Sequence, residues 1–291
     1  MSKTVLVTGA TGNIGGQLVG RLAANSDYDV RVFARDAAKT EPLKQAGADI
    51  SVGTFEAADT IASAVQGIDT VVLITAPNPD ASVQAQAVLD AAKKAGVRKI
   101  VRISALNADP DGPTDNTRQH GRTDQAIQDS GIDYVILRPH FFMQNLFMAA
   151  PTIGTDGNIY MGMGDGKLGL IDVRDIVDAT ESAVLSDEFN NQVISLTGPA
   201  SIDFNQIASS VSRGIGKTVN YVAVPPEAVK ASILEMGMGE WFAEIMKDYS
   251  KAYAENWGDF KTDEVQKLTG HPARSIDSFV DEVFAPALSQ G

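Results

Sequence analysis

Cysteine is missing altogether from this chain of 291 residues. That excludes a disulfide framework, a thiol nucleophile and a thiolate metal site, and it fits an intracellular protein. Histidine is nearly missing too: there are three, with no HxxxH pair, so no bound transition metal is expected. Long apolar runs are also absent. None approaches the ~20 residues of a membrane span, and the first strand begins almost at once, which leaves no room for a secretory leader. A soluble, cytoplasmic protein without membrane association is therefore expected. Basic residues are in deficit, 24 against 37 acidic, for a formal net charge of -13. Such a surface repels phosphate backbones and anionic membranes, so no nucleic-acid partner is expected. The acidic excess reads as serving solubility or a salty environment. No flexible linker, internal repeat or low-complexity tract interrupts the chain.

What is present begins with Val5-Leu6-Val7-Thr8-Gly9-Ala10-Thr11-Gly12-Asn13-Ile14-Gly15-Gly16. A continuous apolar run marks a strand covered on both faces. It feeds a turn in which Gly9 can adopt angles closed to other residues. Gly12 allows a pyrophosphate close to the main chain, and Gly15 allows the next helix to pack tightly on the strand. Ile14, Leu18 and Leu22 repeat at helical spacing. The spacing is GxxGxxG rather than GxGxxG, but strand and helix flank it as a phosphate-binding turn requires. Gly9, Thr11, Gly12, Asn13, Ile14 and Gly15 are the expected cofactor-binding residues of this turn.

Short apolar strands then alternate with helical stretches, the pattern of βαβ units. The sequence predicts strands near 4–8, 29–34, 49–52, 70–75, 99–104, 133–138 and 192–196. Helices are predicted near 13–24, 39–46, 57–65, 81–95, 117–130, 173–186, 204–214, 226–236, 239–256 and 276–289. Right-handed crossovers make this an α/β fold, a doubly wound, Rossmann-like parallel sheet whose ligand crevice lies at the carboxyl ends of the strands. Past residue 150 the alternation breaks down among glycines, and this part reads as a smaller, interwoven substrate region.

Several segments together resemble the NmrA-like, atypical short-chain dehydrogenases, near triphenylmethane reductase and the type 2 NAD(P)H:quinone oxidoreductases. They are TGATGNIGG at 8–16, FARD at 33–36, HGRTD at 120–124, LRPHFFMQN at 137–145, LIDVRDIVDA at 170–179 and SLTGP at 195–199. The resemblance spans about the whole chain in order. It implies an NADP(H)-binding domain over 1–150 and a mainly substrate-binding region over 151–291, with strand 192–196 returning to the main sheet. It also implies reductase or redox-sensing activity.

Arg35 stands at the end of the second strand, about 20 residues past the last glycine, where an NADP site carries arginine for the 2′-phosphate and an NAD site carries an acid. Lys39, one turn on, adds charge. Adjacent Asp36 is the competing ribose ligand, and a solvated surface role for Arg35 is the plain alternative. NADP(H) is thus the preferred cofactor and NAD(H) the weaker one. The family often has an acid before the aromatic beside the adenine; here Thr54 precedes Phe55, which departs from that pattern. Thr75, Ala76 and Pro77 after the fourth strand, Ser104 and Ala105 after the fifth, and Pro139 after the sixth are further expected cofactor contacts, with strand-to-loop punctuation as the alternative.

Where ordinary short-chain dehydrogenases place a Tyr-x-x-x-Lys pair, the resemblance aligns His120-Gly121-Arg122-Thr123-Asp124. Without that pair, alcohol–ketone interconversion is disfavoured, and a sugar-nucleotide epimerase with it. Hydride addition to a quinone, a conjugated double bond or a dye needs chiefly orientation and a dry pocket. His120 is the candidate for assisting proton transfer, against a local hydrogen-bonding role. Asp124 reads as a helix support, an orienter of His120 or a salt-bridge partner.

Phe141, Phe142, Met143 and Asn145 are expected to line the pocket for a small hydrophobic substrate, joined by Met236 and Trp241. Met236, Met238, Trp241 and Phe242 also fit an ordinary amphipathic helix, the preferred reading for that group. Asp172 reads as a helix N-cap rather than a member of a carboxylate pair with Asp175. The leading reading is an NAD(P)H-dependent oxidoreductase of small hydrophobic electrophiles. The alternative is a non-catalytic NADP(H)-binding redox sensor with a protein partner. A homodimer is left open.

Overall fold

A computed structural model describes residues 2–289. Among the described residues nine strands occur: β1 (Lys3–Thr8), β2 (Tyr28–Ala34), β3 (Asp49–Val52), β4 (Thr70–Leu73), β5 (Lys99–Ile103), β6 (Asp133–Pro139), β7 (Asn158–Met161), β8 (Gln192–Leu196) and β9 (Asn220–Ala223). Seven form one sheet in the order β3-β2-β1-β4-β5-β6-β8. The pairings from β3 through β6 are all parallel. The order reverses between β1 and β4, the point at which a doubly wound sheet opens its ligand crevice.

The apolar runs are explained by burial on both faces. All four residues of β4 and all five of β5 are buried, including two cations within the fifth strand, Lys99 and Arg102. Lys99 Nζ donates to the Ser186 carbonyl at 2.6 Å. Leu6, Val71, Leu73, Ile100 and Ile136 share a core cluster with Ala85, Val88 and Leu89 of the helix Ala81–Ala95.

The chain divides into two compact units. The first holds 1–112, 116–138 and 176–194; the second holds 113–115, 139–175 and 195–291. The second unit has its own two-stranded parallel sheet, β7 with β9, registered Asn158 to Asn220. Neither strand was expected from the sequence, nor were the helices Ala150–Asp156 and Glu264–Thr269.

Two predicted helices differ in detail. The one near 39–46 is a 3-10 turn, Ala37–Thr40, followed by the helix Glu41–Gln45, because Asp36 caps the Ala38 N–H at 3.0 Å and Pro42 lies in the next helix's first turn. The one near 276–289 changes to a π-turn over Val280–Phe284. Widening the turn to an i→i+5 repeat puts Phe279 and Phe284 on one buried side, with ring centroids 6.2 Å apart.

Candidate active site

The glycine turn links β1 to the helix α1 (Asn13–Ala23). Gly9 has φ +61°, a left-handed angle that a side chain disfavours. A Cβ on Gly15 would lie 2.5 Å from the Gly9 carbonyl oxygen and 2.6 Å from the Ala10 Cα, so helix and turn touch through backbone alone. Gly12 is the N-cap and supplies no side-chain bond. The N–H groups that a helix's first turn leaves without internal partners therefore stay available to an anion, at the positive end of the helix dipole. Thr11 and Asn13 are exposed, whereas Ile14 is buried in the core. These residues fit the pyrophosphate of a dinucleotide.

The turn lies against the end of β4. Thr8 Oγ1 accepts from the Ile74 N–H at 2.8 Å, and the Ile74 carbonyl oxygen would be 3.0 Å from a Cβ on Gly9. The next residue, Thr75, is buried, whereas Ala76 and Pro77 are exposed. At the end of β2, Arg35 and Lys39 are exposed, and the Asp36 carboxylate is engaged in capping Ala38. Phe55 packs on Phe33 with centroids 5.6 Å apart.

Arg102 organises the residues that follow β4 and β5, and sequence reasoning passed over it. Its guanidinium is fully buried and donates to the Leu73 carbonyl, to Thr75 Oγ1 and to His120 Nδ1, each at 3.1 Å. Because arginine has no acceptor, Nδ1 must be the unprotonated nitrogen, and a neutral His120 carries its proton on Nε2. Burial, reinforced by the charges of Arg102 and Arg138, holds the imidazole well below its usual 6.5. A ring held in this way is neutral at physiological pH rather than poised to exchange a proton there. Burial also pulls Arg102 down to about 10, against the attraction of Asp124, so it remains a cation.

Asp124 does not orient His120. Its Oδ2 accepts from Ser104 Oγ at 2.8 Å and from the Arg138 guanidinium at 2.9 Å. Burial pushes this carboxyl up, against the pull of Arg102 and Arg138. Arg102 Nε and Asp124 Oδ1 are buried without a partner among the described residues, unusual for native polar atoms. Ser104 is buried by this arrangement and Ala105 is half-buried. The sequence signal for Arg102 was a cation inside the otherwise apolar run Ile100-Val101-Arg102-Ile103.

In the second unit, Phe141 packs edge-on against Phe204 and Tyr253, and Met143 is 1% exposed. Phe142 and Asn145 are half-buried, and Pro139 is buried. Trp241 Nε1 donates to Asp115 Oδ2 at 2.9 Å. Met236 is 52% exposed. Asp172 Oδ1 accepts from the Arg174 N–H at 2.8 Å, the N-cap geometry for the helix Val173–Leu185. Asp175 is paired with Arg274.

Three comparisons bear on this arrangement. A family model described as NAD(P)H-binding matches residues 9–158, just over half the chain. The NAD(P)H azoreductase of Xenophilus azovorans is 34% identical over 275 residues, covering 94% of this chain and 96% of that protein. Among solved structures, the NADPH-dependent quinone oxidoreductase of Escherichia coli complexed with NADPH has a TM-score of 0.87 at 25% identity, covering 96% of this chain and 99% of that one. The Citrobacter triphenylmethane reductase, with a TM-score of 0.84 at 23% identity over 96% of this chain and 99% of that one, shares the fold. Among the described residues no helix is long and apolar enough to cross a membrane. From the glycine turn, the sheet order and these matches together, the chain belongs to the NAD(P)H-binding family of Rossmann-like oxidoreductases.

Proposed function

We propose that this protein is an NADPH-preferring reductase of small, uncharged, electrophilic acceptors of the quinone or azo-dye class, working in the cytoplasm. The observation that carries the reading is the uncapped helix start behind the Gly9, Gly12 and Gly15 turn, at the point where the sheet order reverses. The first unit binds the cofactor and the second supplies the apolar surface for the acceptor. Gly12 and the first N–H groups of α1 hold the pyrophosphate, Arg35 with Lys39 engages the 2′-phosphate, and Phe55 flanks the adenine. Bound NADPH supplies the hydride. Thr75, fixed by Arg102 at 3.1 Å, positions the cofactor's ribose side. His120, kept neutral, offers Nε2–H as a fixed donor rather than a stored proton, and water protonates the reduced product. The names of the relatives support a quinone or dye as acceptor.

The test is consumption of NADPH and NADH by the purified protein with a panel of quinones, azo dyes and enones. Faster turnover with NADPH and any of these acceptors is expected. NADPH binding without oxidation by any acceptor would overturn the reductase reading in favour of a binding-only sensor.

A further inference from the structure

Four of the chain's eight methionines converge on one cavity inside the second unit. Met148, Met161, Met236 and Met246 line a space of about 230 Å³ with Val229 and Ile233. It lies beside the helices Pro226–Glu235 and Glu240–Ala254 and the strand β7. Among the described residues no charged side chain lines it. Its polar groups are largely engaged elsewhere. Thr152 Oγ1 donates to the Asn158 carbonyl at 2.8 Å, and the Tyr160 hydroxyl donates to Asp156 at 2.9 Å. Ser232 adds an exposed hydroxyl at the rim. Met236 and Tyr160, also at the rim, are 52% and 40% exposed.

Volume and lining limit the occupant. An apolar cavity of roughly 150 Å³ stays dry and takes benzene, so a space of about 230 Å³ suits a ring system about half as large again. A charged ligand would lose its hydration with nothing to replace it. Methionine side chains are unbranched, polarizable and favourable against aromatic rings, and they mould to flat molecules of varied outline.

We infer that this methionine-lined cavity binds the uncharged, fused two-ring aromatic part of the acceptor, of which 1,4-naphthoquinone is the type, with the Ser232 hydroxyl available to a ring carbonyl. This rests on the reductase reading for the word acceptor only; binding itself needs no turnover. Cationic dyes bear the wrong charge for this lining.

The experiment uses the full chain labelled with carbon-13 at the methionine methyl groups and titrated with 1,4-naphthoquinone without cofactor. Saturable shifts are expected at Met148, Met161, Met236 and Met246. Met143 and Met163, each 1% exposed and outside the lining, are internal controls that stay in place. Ala228→Trp, at an exposed lining position, should weaken binding at least tenfold; if that variant misfolds, Ser232→Trp on the same helix face serves instead. Shifts confined to exposed Met238, unchanged affinity in both folded tryptophan variants, or no saturable shift would overturn the inference. So would cavity shifts that follow protein concentration without the probe, which would mean that a second copy of the chain covers the cavity. Cavity binding with no NADPH oxidation would sink the reductase reading alone. Oxidation without cavity binding would sink this inference alone.

Discussion

Replacing Arg102 with methionine removes a fully buried cation while nearly preserving its volume. Three acceptors lose a donor at 3.1 Å: the Leu73 carbonyl, the Thr75 hydroxyl and His120 Nδ1. The carbonyl keeps its sheet environment and the hydroxyl can rotate, so the imidazole nitrogen bears the main loss, about 1–3 kcal/mol for an unsatisfied buried acceptor. Breaking up a buried charge pair typically costs about 3–5 kcal/mol. Asp124 keeps Arg138 and Ser104 as partners, and the guanidinium's own burial penalty disappears, which brings the net down to about 2–3 kcal/mol. Thermal unfolding should fall by roughly 4–8 °C. The pKa of His120 should rise, because one of the two cations that depress it is gone. Arg102→Lys separates charge from geometry: it retains the positive field but loses the planar fork, so stability should fall while His120 stays depressed. Thermal melts and an NMR titration of the His120 ring between about pH 4 and 8 give both quantities. A methionine variant that is as stable as the parent, with an unmoved His120, would refute this account of the buried cluster.

Arg35→Ala should weaken NADPH by about 1.5–3 kcal/mol and NADH far less; equal losses in parallel cofactor titrations would remove Arg35 from the 2′-phosphate site. Gly12→Val should fold, since Gly12 has φ -90° and a Cβ there would meet only the Gly9 oxygen at 3.3 Å, yet bind neither cofactor. Gly15→Ala, whose Cβ would strike backbone at 2.5 Å, should instead lose stability by about 1–3 kcal/mol; circular dichroism with a binding titration distinguishes the two. His120→Ala should lower turnover by no more than about 10²–10³-fold, the loss of one fixed donor, with NADPH affinity little changed, and an unaltered single-turnover rate would exclude it from the chemistry. Burial takes His140 from 6.5 down to about 4, so the folded protein keeps it neutral while the unfolded chain protonates. Stability present above pH 6.5 is lost as pH falls toward 4, roughly 3 kcal/mol from this group; urea titrations should show less pH dependence in a folded His140→Gln variant.

The parts of the molecule legible in the sequence are those in which local pattern and burial coincide. β1, its glycine turn and α1 read directly because a strand covered on both faces is a plain apolar run. The span of β8 read just as well, at 192–196. β7 and β9 were not legible: each has four residues and its partner lies about sixty positions away, so no local periodicity reports the pairing. The π-turn at 280–284 was hidden for a related reason, since Phe279 and Phe284 are buried together only once the helix has widened. Within the candidate site, the glycine turn could be read from its spacing. The role of Arg102 could not, because it depends on two groups at the end of β4 and a third on a helix, brought together by the sheet order. His120 was singled out on its intrinsic chemistry, and its surroundings change that chemistry from titrating to fixed.

The chain enters the first unit three times, the last time at 176–194. During synthesis, its edge strand β8 therefore becomes available only after about two thirds of the protein has left the ribosome. Until then β6 presents an open edge, the kind of surface on which incomplete chains associate. A chain halted between 139 and 176 would carry every glycine and cation proposed for the cofactor on a sheet that lacks its last strand. Cofactor capture by nascent chains should therefore begin late and abruptly rather than grow with length.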